Sequence, residues 1–374
     1  MAIEGELVVR LDWDKGHVKR AEARSQRPRV GRTLLPGRSP DDAVTLVSTL
    51  FAICGRSQGV AAAAALDAAR SREPSALLAA ARERRLAAET LHEHFWRVLI
   101  DWPRLATREP ATAAMGAVRK ALAPWLDAHE DDTGVPLADV GRIAKHSVFG
   151  REAAAWLAIA APDELEAWWR AGETPVARVV ADLMAAGPEL GRSDVPLLAP
   201  LDEAALAGIF EPALRAEDAF EAAPHIRGET RETGALARVR SHRLVAAAAS
   251  QWGHGLGARA VARLVELAQL VQGVAQGAQG ERRHGASCVA DGTGISWVET
   301  ARGLLIHRAQ VGGDRIAGYR IVAPTEWNFH PKGAFVRGAL GLSPSAPEAL
   351  RQQASWIVSS LDPCVAWRME VGNA

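Results

Sequence analysis

Two stretches decide how this chain is read. The first is Ala52-Ile53-Cys54-Gly55-Arg56-Ser57-Gln58-Gly59-Val60-Ala61, and the second is Asp362-Pro363-Cys364-Val365-Ala366-Trp367-Arg368-Met369-Glu370. Each holds one cysteine. Taken alone, Cys54 fits a buried core residue at a helix start, since free cysteine is among the most buried residue types. Cys364, also taken alone, fits an Asp-Pro turn near the chain end. The third cysteine, Cys288, reads as a core or strand residue. Three cysteines in 374 residues rule out a disulfide scaffold, and no CxxC or HExxH offers a zinc site.

Composition narrows the partners. Lys plus Arg and Asp plus Glu both number 44, so the formal net charge is zero, which argues against nucleic acid as the main partner. The acidic, alternating start MAIEGELVVRLDWD is unlike a signal peptide. No uncharged apolar run reaches the ~18 residues of a membrane span. The expected location is a reducing cytoplasm, with no membrane partner. A hydrophobic content of 48% supplies a sizeable core. The excess of Ala and Arg, and 12 Trp against one Tyr, read as genomic base composition.

Around the two cysteines the pattern is mostly helical. Residues 4–24 read as a β-hairpin turning at Asp14-Lys15-Gly16. Gly31 to Pro40 reads as a loop. Ser39 then caps a helix with Pro40 in its first position and Asp41 and Asp42 at its positive end, running to about Ile53. A second helix spans about 57–71. Helical spacing continues from Pro74 to about Ala275, with helices at 112–126, 137–147, 151–159, 163–171, 176–186 and 256–275. The Pro-, Gly- and charge-rich stretch 187–240 reads as irregular. Gly285 to Gln310 and Ile316 to Val322 are strand-like around a Gly312-Gly313-Asp314 turn. Residues 331–342 and 347–361 are helical again, and Asp362 to Ala374 is a short tail. The expectation is a mainly α protein with small β elements (α+β), forming a single domain over 1–374.

Read together, the cysteine motifs resemble the nickel–iron hydrogenase large subunit. That family pairs an N-terminal R-I-C-G-x-C-x-x-x-H with a C-terminal D-P-C-x-x-C-x-x-H. Four further segments agree in order. Ile3-Glu4-Gly5 resembles I-E-G-H, and Gly37-Arg38-Ser39-Pro40 resembles G-R-x-P. Glu299-Thr300-Ala301-Arg302-Gly303 resembles E-A-P-R-G, and Ala323-Pro324-Thr325-Glu326-Trp327-Asn328 resembles V-P-T-T-W-N. No motif matches between about 100 and 280. The resemblance implies a helical bundle like that subunit, but shortened.

The departures carry the functional expectation. In the family, the first cysteine of each pair binds nickel terminally and the second bridges nickel to iron. Here the bridging positions are Ser57 and Trp367. A hydroxyl is a poor soft-metal ligand and an indole is none. This pattern resembles accessory proteins of the HupK/HoxV type, which are large-subunit-like but keep only the outer cysteines. The resemblance implies a non-catalytic maturation scaffold. Cys54 and Cys364 would bind an iron unit carrying cyanide and carbonyl, without nickel. Arg302 and Thr325 would donate to the cyanides, and Val60 and Pro324 would shelter the carbonyl. Its partners would be maturation chaperones and the hydrogenase large subunit. Two alternatives stand beside this: a divergent redox-active subunit or hydrogen sensor, and a metal-free pseudo-subunit.

Other residues are weaker candidates. His92 and His94, two apart on a helix, do not face together. His330 is a candidate for the same cavity, and Glu4 matches a proton-relay glutamate of the enzymes. Gly292-Thr293-Gly294 is too short for a phosphate loop. Trp168 and Trp169 read as core. In register with the family's second metal site stand Arg32 and Glu370, expected to pair and tether the tail. Replacing Arg302 with Leu is expected to leave the fold largely intact.

Overall fold

A computed structural model of the chain describes residues 5–132, 134–277 and 282–373. Ile3 and Glu4 lie outside these. The N-terminal hairpin is formed by β1 (Glu6–Asp14) and β2 (His17–Ser25), closed by Lys15 and Gly16, both at positive φ. Two such residues suit the right-handed twist of a tight hairpin. The supposed C-terminal tail is in fact a strand, β7 (Ala366–Asn373), lying parallel to β1 from Glu6↔Ala366 to Trp13↔Asn373. The sheet order is β2-β1-β7. Leu7, Val9 and Leu11 alternate onto one face and pack against Phe335, Ala339, Ile357 and Val358 of two C-terminal helices. The two chain ends are thus clamped together, and Cys364, just before β7, is fixed beside the segment leaving β2.

A second sheet is an antiparallel meander of β3 (His284–Ala290), β4 (Thr293–Thr300), β5 (Gly303–Gly312) and β6 (Arg315–Val322). The stretch expected as one arm from Gly285 is therefore three strands. Helix Gly55–Ala69 lies directly on it. A Cβ at Gly294 would stand 2.2 Å from the Ala65 carbonyl oxygen, so only glycine permits this approach.

Helix Leu256–Ala275 runs through the main core, apolar on nearly every side, and the helices Ala76–Trp96, Thr112–Leu126, Pro175–Ala186 and Arg243–Trp252 share its cluster. A helix apolar all round belongs inside. It nevertheless buries Arg259, Arg263 and Glu266, and each has a charged partner. The irregular reading of 187–240 is corrected by a helix at Glu203–Ala216, which accommodates Pro212, and a short one at Ala235–Arg238. The loop reading of 31–40 is corrected by a short helix at Val30–Leu34. The Ser39-capped helix is present but stops at Leu50. Among the described residues no helix is long and apolar enough to cross a membrane.

Candidate functional site

Cys54 immediately precedes the helix Gly55–Ala69. That helix start is capped from outside, because the backbone N–H groups of Arg56 and Ser57 donate to the Glu89 carboxylate at 2.9 Å. The Ser57 hydroxyl also donates to Glu89. Cys364 is set by the end of helix Pro347–Leu361, where Asp362 takes a left-handed conformation at φ 55°. For a residue with a Cβ that conformation is costly and has to be held in place. It is held by charge, as the Asp362 carboxylate accepts from Arg97, from Arg263 at 3.0 Å and from Arg302 at 3.1 Å. Arg97 sits in a π-helical turn, Arg97–Asp101, that breaks the α-helical register after Trp96.

The two cysteines therefore arrive at one buried place from opposite ends of the chain. Their thiols hydrogen-bond to each other, and the pair shares its protons unevenly. The bond from Cys54 pulls Cys364 well below the usual thiol range, against burial, with Arg27, Arg302 and Thr325 assisting. The same bond and burial push Cys54 up. The donors converge on Cys364, so its sulfur is the one at which negative charge is favoured. Arg27, leaving β2, donates from Nη1 to Cys364 Sγ at 2.9 Å and stacks over Phe51. Thr325 Oγ1 lies 3.1 Å from the same sulfur and accepts from the Cys364 backbone N–H. Gln58 faces Cys54 with its amide nitrogen at 3.8 Å, and its oxygen meets His307, whose other ring nitrogen meets Tyr319. Burial alone holds His307 at a pKa of about 3, so this chain is neutral.

The structure gathers Cys54, Cys364 and Thr325 as the sequence expected, and sets Arg302 close by. Arg302 is no surface residue: its Nε meets Asp362 and its Nη2 meets Glu93 at 2.8 Å. Burial opposes its charge, but Asp362 and Glu93 outweigh that and raise its pKa. Val60 packs with Leu86, Val298 and Leu305, and Pro324 opens the short helix that carries Thr325. Both bridging positions are diverted. Ser57 is tied to Glu89, and Trp367, on β7, packs with the first sheet's core. Cys288 is an exposed strand residue on β3. His330 does not join the site, because its Nδ1 closes a turn by accepting from Lys332 N–H. His94 is buried against Glu266 while His92 meets Glu93, so the two do point apart. Arg32 does not pair with Glu370. It binds Asp218 and Glu221, whereas β7 carries Glu370 to Arg368.

Several site residues were missed in the sequence. Arg27 and Gln58 carry no motif, and Arg97, Arg263 and Glu93 are distant helix residues. Glu326 was visible, as the acid standing where V-P-T-T-W-N has its second threonine. Burial raises its pKa to about 7, although Arg27 and Ser25 oppose this. Among the described residues no three His, Cys, Asp or Glu side chains cluster as metal ligands.

Comparison with known proteins matches this construction. Residues 236–368 fit the family model described as nickel-dependent hydrogenase. Over 370 residues the chain is 34% identical to the hydrogenase expression/formation protein HoxV of Cupriavidus necator, covering 93% of this chain and 92% of that one. The chain belongs to the HoxV/HupK family of hydrogenase expression/formation proteins. The HupK protein of Rhizobium leguminosarum bv. viciae is 33% identical over 370 residues, 94% of this chain and 92% of that one. The fold of this chain is that of hydrogenase large subunits. The Ni-Fe-Se hydrogenase of D. vulgaris Hildenborough superposes with a TM-score of 0.60 over 97% of both chains at 16% identity. An NAD+-reducing nickel–iron hydrogenase does so with a TM-score of 0.60 over 94% of both at 19% identity.

Proposed function

We propose that this chain is a non-catalytic scaffold of hydrogenase maturation. It holds an iron unit bearing cyanide and carbonyl as cargo, bound through Cys54 and Cys364, and passes it to a hydrogenase large subunit. The observation that carries this reading is the pair of buried, free thiols that hydrogen-bond to each other at a site where both further sulfur positions have become Ser57 and Trp367. Two thiolates suit one soft metal centre, while a second metal would lack its bridges.

The surrounding residues have matching roles. Arg27 and Thr325 keep Cys364 charged and ready as a donor. The Gln58 amide is oriented by His307 and favours charge on Cys54. Arg302 commits Nε and Nη2 to Asp362 and Glu93, which leaves Nη1 outside both ion pairs for an anionic cyanide. Asp362, with its three arginines, fixes the turn that presents Cys364. In a host whose hydrogenase activity needs this protein, Cys54→Ala and Cys364→Ala should each abolish maturation, while Cys288→Ser leaves it intact. Full maturation with both buried cysteines replaced would sink the reading.

A further inference from the structure

Helix Gly55–Ala69 packs on the second sheet mainly through apolar residues, with Ala62, Ala65, Leu66 and Ile316 in one cluster there. Through this interface runs a polar chain of three side chains that ends on Cys54. Gln58 and His307 are fully buried, and Tyr319, the one tyrosine of the sequence, is nearly so. His307 on β5 stands opposite Ile321 on β6, so Tyr319, two residues before Ile321, lies diagonal to it on the same sheet face. The two rings meet edge to face at 5.5 Å. His307 Nδ1 lies 2.7 Å from the Tyr319 hydroxyl, and His307 Nε2 lies 2.9 Å from Gln58 Oε1. Gln58 Nε2 then lies 3.8 Å from Cys54 Sγ.

The direction of these bonds follows from what each end can do. A sulfur that is charged or bound to a metal can only accept, so it meets the Gln58 N–H and not the carbonyl. The carbonyl oxygen only accepts, so His307 carries its proton on Nε2. A neutral imidazole then has a bare Nδ1, which accepts from the Tyr319 hydroxyl. No buried side-chain N or O of Gln58, His307 or Tyr319 is left without a partner. Burying an amide, an imidazole and a phenol is costly unless each is bonded, and apolar residues would fill the same space without that demand. The free end of the chain is a thiol sulfur at the candidate site, not a further fold contact.

We infer that His307 and Tyr319 are positioning residues, which hold the Gln58 amide with its N–H on the Cys54 sulfur and so favour that sulfur as a thiolate ligand. The ligand role rests on the proposed iron site, yet the bond belongs to the metal-free chain, so the two readings fail separately.

The test is the pH–rate profile of iodoacetamide alkylation on the full-length, metal-free chain carrying Cys288→Ser and Cys364→Ser, which leaves Cys54 as its one thiol. The midpoint of the profile reads the charge on the sulfur and, unlike the rate itself, does not move with access. Losing the N–H on the charged sulfur should raise the midpoint by about half a unit or more in Gln58→Leu and in His307→Phe. Tyr319→Phe should raise it by less, since His307 keeps its Nε2–H. His307→Gln, which returns an amide N–H near the place of Nε2–H, should restore the midpoint. A merely structural role would lower the thermal melt of these variants and leave the midpoint unmoved, and that result would overturn the inference. So would a shifted midpoint in His307→Gln equal to that of His307→Phe. If His307→Phe does not fold, Gln58→Leu and Tyr319→Phe decide. Missing cyanide and carbonyl bands in the wild-type chain would defeat the iron reading alone.

Discussion

Replacing Arg27 with Met removes the cation that favours the thiolate form of Cys364. The guanidinium lies 2.9 Å from the sulfur, the range of a direct charge-assisted bond. Such a bond to a charged group contributes about 1.5–3 kcal/mol, and one pKa unit corresponds to about 1.4 kcal/mol. The lower apparent pKa of the cysteine pair should therefore rise by about one to two units in the variant. The sign for stability follows from linkage. A thiol with a depressed folded pKa contributes stability that is fully present above its unfolded pKa of about 8.5 and is lost as pH falls through the folded value. Arg27→Met should thus cost more at pH 9 than at low pH, apart from a constant loss of about 0.5–1 kcal/mol for its stacking on Phe51. The assay is the pH dependence of thiolate ultraviolet absorbance and of alkylation rate, in a Cys288→Ser background that silences the exposed thiol. An unchanged or lowered pKa would refute the assignment of Arg27 as the counter-cation of Cys364.

Three further predictions follow from buried charges. Arg302→Leu should cost about 3–5 kcal/mol in denaturant melts, against the expectation from sequence, because Asp362 and Glu93 lose a buried partner. Glu326, raised from 4.5 to about 7, binds more protons folded than unfolded, so stability should fall by about 3 kcal/mol as pH rises through that window. Glu326→Gln should flatten this slope and raise the melting temperature at pH 8. Glu89→Ala should cost about 1–3 kcal/mol in urea melts, because two N–H groups at the start of helix Gly55–Ala69 lose their acceptor.

Helices at 112–126, 256–275 and 347–361 were legible because their apolar spacing agrees with the packing they meet. Strand β7 was not, since its partner β1 lies at the other end of the chain and pairing cannot be read locally. The helix Glu203–Ala216 was hidden by the proline, glycine and charge around it, although its apolar face packs Leu206, Phe210 and Leu214 inward. In the site, motif order gave the cysteines, Thr325 and Arg302. It gave none of the partners that settle their charge. Arg27 reaches Cys364 only because β1 pairs with both β2 and β7. Arg32 and Glu370 failed as a pair for a related reason: matching register to a family motif ignores where the intervening strands carry each residue.

The central claim is that this fold holds iron with its diatomic ligands and no nickel. Infrared spectroscopy with metal analysis tests it most directly, on protein co-produced with the maturation machinery. The account predicts cyanide and carbonyl bands, iron without nickel, and loss of both bands in Cys54→Ala and Cys364→Ala. Nickel bound in proportion to iron, or bands that persist without these cysteines, would contradict it.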